Sequence, residues 1–388
     1  MNTRRCVIAA ISFATLVKLY LALFTFGTND VSTWQSFLVN IRNVGGAAAY
    51  HLPGNYRDPF VHPPFMVHVL VVLGWIADKT GIGFPFLLRF PGILADIGSV
   101  FLTYRLRSVG AIKCHPFSLV AMALCPISIF ISGFHGNTDP VMIFFVILSL
   151  YLIQTKHSTV GGGIFFGMAL NMKVVPLILG PAFLFHLKSW RARMIFVVWA
   201  MLVVTLSSMP YLMQDPVGIM NQTLGYKGSP APWGLTTLLL VLGLSENQIT
   251  GTVLRLLIVV LAFLIPMWMS RKGMDAYTQF GAVIFSFLFL APGFGVQYLA
   301  WTVPFILTLE LGWTIAYYLT AGTFIFVLFD YWSSGDWYFA NIHSQLNWGH
   351  LGTISGYLCW ALIGELLIRY SQVARAQKLS VSSVCESR

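Results

Sequence analysis

Long apolar runs separated by short polar clusters dominate the pattern of the chain. Apolar and polar residues do not alternate within the runs, so the pattern predicts helices and not the strands of a barrel. A span needs roughly 20 apolar residues, and the chain of 388 residues therefore has room for about 11–13 spans. Because helices satisfy their own backbone hydrogen bonds in lipid, the predicted fold is an all-α polytopic transmembrane helical bundle.

Two of the runs depart from this plan and predict short re-entrant or interfacial helices. Residues 64–75 are apolar but short, and they lie between an outside loop and a span that ends at a basic cluster. If both this segment and the next span crossed the membrane, the chain would end on the outside and not at the inside cluster. The shorter segment is therefore predicted to be interfacial or re-entrant. Residues 161–187 are interrupted at 171–173 and begin and end near basic residues. This pattern predicts a hairpin of two short helices beside a cavity.

The basic residues give the bundle an orientation. Three stretches poor in Lys and Arg, at 27–63, 213–233 and 330–350, are predicted to be external loops. Residues 1–370 are predicted to form one membrane-embedded domain, followed by a polar cytoplasmic tail at 371–388. The basic residues lie in clusters between apolar runs, which is typical of cytoplasmic loops. These clusters are Arg4 and Arg5; Arg105, Arg107 and Lys113; Lys188, Arg191 and Arg193; Arg271 and Lys272; and Arg369, Arg375, Lys378 and Arg388.

Composition excludes several classes of protein. Hydrophobic residues make up 57% of the chain and charged residues 9%, whereas a soluble domain carries about 25% charged residues. The net charge of +10 resides in the cytoplasmic clusters, so it does not indicate nucleic-acid binding. The five cysteines lie outside the predicted external loops and form no metal-type pair, which disfavours a disulfide framework and a zinc site.

The best candidate for catalysis is Asp30, just past the end of the first apolar run. A carboxylate at an apolar boundary is partly desolvated, which raises its basicity and suits a general base acting on a hydroxyl. The alternative is that Asp30 caps the helix that follows it.

Further candidates close the first external loop. Arg57 or His62 is predicted to bind a phosphate. The alternative is a surface pair between Arg57 and Asp58, with His62 as an interfacial side chain.

His135, Asn137 and Asp139 lie within five residues at the external end of a span. Polar groups clustered at such a depth indicate a functional site. The alternative for Asp139 is a helix cap, because Pro140 follows it.

Deeper polar residues complete the set of candidates. Lys173 is an ionisable residue in an apolar segment and is predicted to be functional, with snorkelling as the alternative. Gln297 and Tyr298 follow a Pro-Gly-Phe-Gly turn and are predicted to line the cavity, unless Tyr298 belongs to an aromatic belt. Arg89 and Asp96 share a helical face and are interpreted as structural polar contacts.

Taken in order, four segments resemble the GT-C superfamily of membrane glycosyltransferases, close to those that use polyprenyl-phosphate sugars as mannosyl or glucosyl donors. The segments are residues 29–30; residues 62–64; residues 89–96 with 133–139; and residues 291–298 with Trp301 and Pro304. The resemblance covers most of the chain up to about Leu309. One departure is that a single Asp30 follows Asn29, where some relatives have two adjacent acids.

The resemblance implies an inverting glycosyltransferase of the GT-C fold, active at the external membrane face. The donor would be a hexose, with mannose as the best guess, on a polyprenyl phosphate. The acceptor would be a hydroxyl of a glycolipid, polysaccharide or protein. Asp30 corresponds to the catalytic base of the family, and Arg57, Lys173 and Arg255 are the cations that would stabilise the leaving phosphate.

The resemblance leaves the remaining roles open. The acceptor, the donor and membrane lipids are the expected partners. His135, Asn137 and Asp139 would orient Asp30, bind sugar hydroxyls or hold a metal. A divalent ion suits these ligands, but their spacing does not require one. A bacterial inner membrane is favoured over an endoplasmic reticulum membrane.

The alternative function is a transporter or flippase for a lipid-linked sugar, which also predicts broken helices and polar residues in the membrane. It further predicts ionisable groups along a path between both faces, and often repeated halves. The candidates cluster on one face and no repeat is visible, so the enzyme is the preferred interpretation.

Overall fold

The computed structural model describes residues 3–55, 59–225, 231–241, 248–341 and 347–386. These residues form an all-helical bundle with two strands of two residues each. The first eight helices are α1 (Thr3–Phe24), α2 (Asn29–Val44), α3 (Phe65–Thr80), α4 (Phe84–Ser108), α5 (Ser118–Ala123), α6 (Pro126–Phe130), α7 (Asp139–Lys156) and α8 (Thr159–Met172). The others are α9 (Gly180–His186), α10 (Trp190–Leu212), α11 (Pro216–Leu224), α12 (Gly234–Val241), α13 (Gln248–Ser270), α14 (Ala276–Leu290), α15 (Leu311–Trp332) and α16 (Gly349–Glu386).

Shorter helical turns connect several of these helices. Residues Ile131–His135 form one π-helical turn, and α16 continues to Glu386, into the segment predicted as a polar tail. The 3₁₀ helices are Ala48–His51, Val175–Leu179, Val296–Thr302 and Phe305–Thr308. Within the described ranges, eight helical segments are long and apolar enough to cross a membrane, and four shorter apolar segments accompany them. These segments agree with the predicted polytopic bundle.

The broken hairpin predicted around residues 171–173 is confirmed. Helix α8 ends at Met172, and the backbone at Lys173 is extended, with φ −155° and ψ 151°. The 3₁₀ helix Val175–Leu179 and α9 then follow. A break in a membrane helix is tolerated only inside protein or beside a cavity, and here it brings the amino group of Lys173 to a buried acid.

Small residues let α8 pack closely on α10. Ideal Cβ atoms added to Gly163 and Gly167 would lie 2.6 Å from the backbone oxygens of Phe196 and Ala200, respectively. No side chain larger than hydrogen fits that spacing, which is the usual reason for glycines at helix contacts in lipid. The contact fixes the height of the end of α8, and therefore of Lys173.

The first and third predicted external loops meet in a short parallel pairing. Strand β1 (Gly27–Thr28) pairs with β2 (Phe339–Ala340). The backbone N–H groups of Phe26 and Gly27 also donate to the carbonyl of Tyr338. A segment near the start of the chain is thus held by one that lies more than 300 residues later.

Arg89 and Asp96 both make structural contacts, but with different partners. The buried Arg89 guanidinium donates to the carbonyls of Ala22, Thr25, Gly133 and Phe134. It therefore ties the end of α1 to the π-helical turn.

Asp96 forms a second buried connection between helices. Its Oδ2 lies 2.6 Å from Lys18 Nζ and accepts hydrogen bonds from Ser128 and Ser132. The carboxylate therefore links α1, α4 and α6 through a single oxygen atom.

Candidate active site

Thr28, and not Asp30, caps the helix after the first span. Thr28 is the residue before α2, and its Oγ1 accepts a hydrogen bond from the backbone N–H of Asp30. The alternative that Asp30 serves as the helix cap is therefore wrong. Its carboxylate points elsewhere, at the end of the bundle where α1 stops and α7 begins.

Two residues of the 135–139 segment hold Asp30 through one oxygen. The side-chain amide of Asn137 donates to Oδ2 of Asp30 at 2.8 Å, and Nε2 of His135 lies 3.3 Å from the same atom. Within the described part of the chain, Oδ1 of Asp30 has no hydrogen-bond donor. The Asp30 side chain is 30% exposed and that of His135 only 1%, so the carboxylate is open on one side alone.

The backbone between the two spans brings His135 and Asn137 to Asp30. The π-helical turn ends at His135, and Gly136 follows with φ +80°. That left-handed conformation favours glycine, and an added Cβ would lie 2.5 Å from Cγ2 of Val31. The tight turn returns the chain so that positions 135 and 137 face the same carboxylate.

The local charges hold Asp30 in its ionised form. Burial raises the pKa of the carboxyl, but the charge and contact of His135, the amide of Asn137 and the charge of Lys173 lower it, with a net lowering. The expected increase in basicity at an apolar boundary is therefore wrong. The anion is stabilised by partners that the sequence position alone does not reveal.

Asp139 and Lys173 form a second, buried pair. Oδ2 of Asp139 lies 2.7 Å from Nζ of Lys173, and their side chains are 0% and 14% exposed. The indole N–H of Trp301 donates to Oδ1 of Asp139. Thr138 occupies the cap position of α7, so the capping alternative for Asp139 is wrong. The contact with Asp139 also accounts for Lys173 better than snorkelling does.

Aromatic rings cover the lysine. The ring of Tyr298 lies 5.8 Å from Nζ of Lys173 and stacks on Trp301 at 4.5 Å between ring centres. Tyr298 is buried, and its neighbour Gln297 is half-buried. The turn that precedes them thus brings Tyr298 to the lysine, and the predicted lining of a cavity by Gln297 and Tyr298 stays a prediction.

His62 belongs to the same region as a neutral ring. Its ring packs on Trp34, with 4.4 Å between ring centres and 40° between ring planes, and its carbonyl accepts a hydrogen bond from the hydroxyl of Tyr50. Burial, followed by the charge of Lys173, lowers the pKa of His62 to about 3. His62 can therefore donate or accept a hydrogen bond, but it does not bring a positive charge to a phosphate.

Two candidates lie outside the described residues, namely Arg57 and Asp58. Their predicted roles stay predictions. Across the part of the chain that the structure describes, no group of three or more His, Cys, Asp or Glu side chains is arranged to hold a metal ion.

Sequence reasoning assigned no role in the site to three residues that contact the candidate residues. Thr28 hydrogen-bonds both the ring and the carbonyl of His135, Trp34 packs against the ring of His62, and Trp301 hydrogen-bonds Asp139. The signal for Thr28 was present, because a threonine before a helix start is a common cap. Nothing local indicated Trp301 as a partner of an acid 162 residues away.

Comparison with known proteins gives one match. The family model for glycosyltransferase family 87 matches residues 60–292, more than half of the chain. The matched range contains His62, His135, Asn137, Asp139 and Lys173, whereas Asp30, Gln297 and Tyr298 lie outside it. No curated protein matches the chain, and no solved structure does so either.

Proposed function

Because the chain belongs to glycosyltransferase family 87, a membrane family similar to the GT-C enzymes, we propose that this multi-pass membrane glycosyltransferase moves a hexose from a polyprenyl phosphate to a hydroxyl acceptor, with inversion. Mannose is the proposed hexose. The proposed acceptor is a glycolipid, a polysaccharide or a protein. Asp30 is the proposed catalytic base.

The observation that carries this proposal is the asymmetric environment of the Asp30 carboxylate. Oδ2 is held by Asn137 and His135, whereas Oδ1 has no donor within the described ranges and the side chain remains 30% exposed. A general base needs such an arrangement, because one oxygen must be oriented and the other must reach the substrate. A purely structural aspartate at a membrane boundary needs no open oxygen.

The proposed reaction is a single displacement. Oδ1 of Asp30 takes the proton of the acceptor hydroxyl while the hydroxyl oxygen bonds to the anomeric carbon. The bond between that carbon and the phosphate oxygen breaks, and its electron pair leaves with the lipid phosphate. Attack from the face opposite to the leaving group inverts the anomeric configuration.

The leaving phosphate requires positive charge and hydrogen-bond donors, not a general acid. Lys173 is a cation whose charge acts on Asp30, and the charge of Asp139 at 2.7 Å partly balances it. In this proposal Asp139 and Trp301 hold the ammonium in position, and neutral His62 donates a hydrogen bond. Arg57 remains a proposed second cation.

The positions of the helix ends support activity at the non-cytoplasmic face. Helix α7 runs from Asp139, in the site, to Lys156. Its 18 residues span about 27 Å at about 1.5 Å per residue, close to the thickness of a bilayer core. Helix α4 likewise ends in Arg105 and Arg107. If these basic ends are cytoplasmic, the site opens on the other side, which we propose to be the external face of a bacterial inner membrane.

The alternative function, translocation of a lipid-linked sugar, has less support. It calls for ionisable groups along a path through the membrane. The pair of Lys18 and Asp96 is one such group among the described residues, and its side chains are hydrogen-bonded to each other and to Ser128. Transfer chemistry explains the open oxygen of Asp30 better than transport does.

The proposal is tested with purified protein in lipid nanodiscs. A panel of radiolabelled polyprenyl-phosphate hexoses is incubated with membrane extracts as acceptors, and transfer is measured for wild type, Asp30→Asn and Asp78→Asn. Asp78 is the control, because its carboxylate is 60% exposed and pairs with Arg42 on the surface. We expect transfer by wild type and Asp78→Asn, and none by Asp30→Asn.

Either of two results would overturn the proposal. One is wild-type turnover by Asp30→Asn. The other is movement of an intact labelled lipid between leaflets of proteoliposomes with no transfer to any acceptor, which would establish the flippase instead.

A further inference from the structure

We propose that Thr28 is a positioning residue, which fixes the ring of His135 so that a hydrogen is held between Nε2 of His135 and Oδ2 of Asp30. Oδ1 is then left as the basic atom. This inference rests on the proposed role of Asp30 as the base. It assigns a function to the residue before α2, which is otherwise only a helix cap.

The hydroxyl of Thr28 makes three close polar contacts. Its Oγ1 lies 2.9 Å from the carbonyl oxygen of His135, 2.9 Å from Nδ1 of His135 and 3.3 Å from the backbone nitrogen of Asp30. The carbonyl can only accept and the backbone N–H can only donate. The single hydroxyl hydrogen therefore goes to the carbonyl, and the imidazole must donate its Nδ1–H to Oγ1. All three contacts of the buried hydroxyl are satisfied only in this way.

The other ring nitrogen of His135, Nε2, faces Asp30. Nε2 of His135 is buried and has no aligned hydrogen-bond partner, but it lies 3.3 Å from Oδ2 of Asp30. With Nδ1–H committed to Thr28, a neutral ring would direct the lone pair of Nε2 at an anionic oxygen. That contact is favourable only when a hydrogen lies between the two atoms. The arrangement is the familiar one in which the partner of one ring nitrogen sets the state of the other.

The two oxygens of the Asp30 carboxylate have different surroundings. Oδ2 of Asp30 faces His135 and the amide of Asn137, so it is not available to a substrate. Among the described residues, Lys173 and His62 are the other titratable groups whose electrostatics involve this carboxylate. Lys173 is paired with Asp139 at 2.7 Å, so it does not occupy Oδ1. The acceptor hydroxyl therefore meets Oδ1.

The backbone around Thr28 is suited to this role. Thr28 is fully buried and pairs with Ala340 in the parallel contact of β1 with β2. The ring of His135 is itself stacked on Phe329, at 5.7 Å and 20° between ring planes. Both partners of the Thr28–His135 contact are thus immobilised from the opposite end of the chain.

The kinetic test compares Thr28→Val, which removes the hydroxyl, with Thr28→Ser, which keeps both the hydroxyl and the helix cap. We expect Thr28→Val to lower kcat by at least about tenfold, part of the roughly 10²–10⁴ that a general base contributes, with an unchanged KM for the donor. We expect Thr28→Ser to retain wild-type kcat. Thr155→Val serves as the matched control, because the hydroxyl of Thr155 donates to the carbonyl of Tyr151 within α7, away from the site.

A second measurement requires neither activity nor a folded valine variant. Nitrogen-15 NMR of wild-type protein with labelled histidine, with His135→Gln used to assign the resonance among the nine histidines, reports which ring nitrogen is protonated. We expect Nδ1 of His135 to carry hydrogen at every pH at which the protein is folded. A neutral ring protonated only at Nε2 would overturn the inference.

The two proposals fail in different ways. If Asp30→Asn keeps wild-type transfer, the proposed base is wrong whatever the histidine spectrum. If Asp30→Asn is inactive while Thr28→Val has the kcat and pH profile of wild type, the base stands and the positioning role of Thr28 is wrong.

Discussion

The side-chain amide of Asn137 donates a hydrogen bond of 2.8 Å to Oδ2 of Asp30, across 107 residues of sequence. The backbone N–H of Thr138 donates to Oδ1 of the same asparagine at 2.7 Å, so the amide can face the carboxylate only through its nitrogen. A residue of the short turn between α6 and α7 therefore holds one oxygen of the candidate base.

Replacing Asn137 with leucine, which is similar in size, removes that donor. A hydrogen bond to a charged group contributes about 1.5–3 kcal/mol, so we expect kcat to fall about 10- to 100-fold with the protein still folded. Asn40→Leu is the matched control, because Asn40 bonds the carbonyl of Pro53 on an exposed surface. Equal kcat for both variants would contradict the role given to Asn137.

His135→Gln is expected to change the pH dependence of kcat/KM. The reactive form of Asp30 is ionised, so the rate falls as the pH drops through its pKa, which lies below the usual value in the wild type. Without His135, the raising effect of burial is less opposed. The acidic limb of the profile should therefore move to higher pH.

The control for this experiment is His51→Gln. His51 also faces an aspartate, since its Nε2 lies 2.6 Å from Oδ2 of Asp215, but its side chain is 62% exposed and it lies outside the site. The acidic limb of the kcat/KM profile of His51→Gln should coincide with that of wild type. An unshifted limb for His135→Gln would mean that His135 does not stabilise the anion of Asp30.

Lys173 is expected to have both a structural and a chemical role, which a double variant separates. Lys173→Met leaves buried Asp139 without its cation, and breaking a buried pair in this way costs about 3–5 kcal/mol of stability. The double variant Lys173→Met with Asp139→Asn has no uncompensated buried charge. Its unfolding temperature in detergent should therefore be close to that of wild type. Transfer should remain impaired, because the leaving phosphate still lacks a cation. Full recovery of transfer by the double variant would show that Lys173 is purely structural.

Arg89→Lys is expected to destabilise the fold although it keeps the charge. The guanidinium donates to four carbonyls of α1 and the 133–134 segment, and an ammonium has only three donors without the planar fork. Leaving buried carbonyls without donors costs about 1–3 kcal/mol each, so the unfolding temperature should fall clearly. Arg369→Lys, in which the exposed side chain pairs with Glu365, is the control and should unfold like wild type.

Much of the bundle was predictable because lipid constrains the backbone so strongly. The apolar runs could only be helices, and the interruption before Lys173 could only be a break beside buried polar groups. The same argument indicated that the polar side chains of the 135–139 segment have partners, and His135, Asn137 and Asp139 do contact other polar side chains. These inferences depend on local composition, which the sequence displays directly.

The pairings within the site were not predictable in the same way. The partner of Asp139 is an indole 162 residues away, and the capping role expected for Asp30 belongs to Thr28. The increase in basicity expected for Asp30 failed for a related reason. The position of Asp30 at an apolar boundary predicts the burial that raises its pKa. The pKa is lowered by His135 and Asn137, whose proximity to Asp30 depends on the tertiary fold.

The parallel pairing of Gly27 and Thr28 with Phe339 and Ala340 has a consequence for biosynthesis. The ribosome releases the first transmembrane helix and the candidate base long before it makes the strand that anchors them. A nascent chain that has inserted most of its helices still lacks the support for Thr28. If Asp30 is the base and Thr28 positions His135, as proposed, catalytic competence arises only after residues 339–340, within the last quarter of the polypeptide, have been translated.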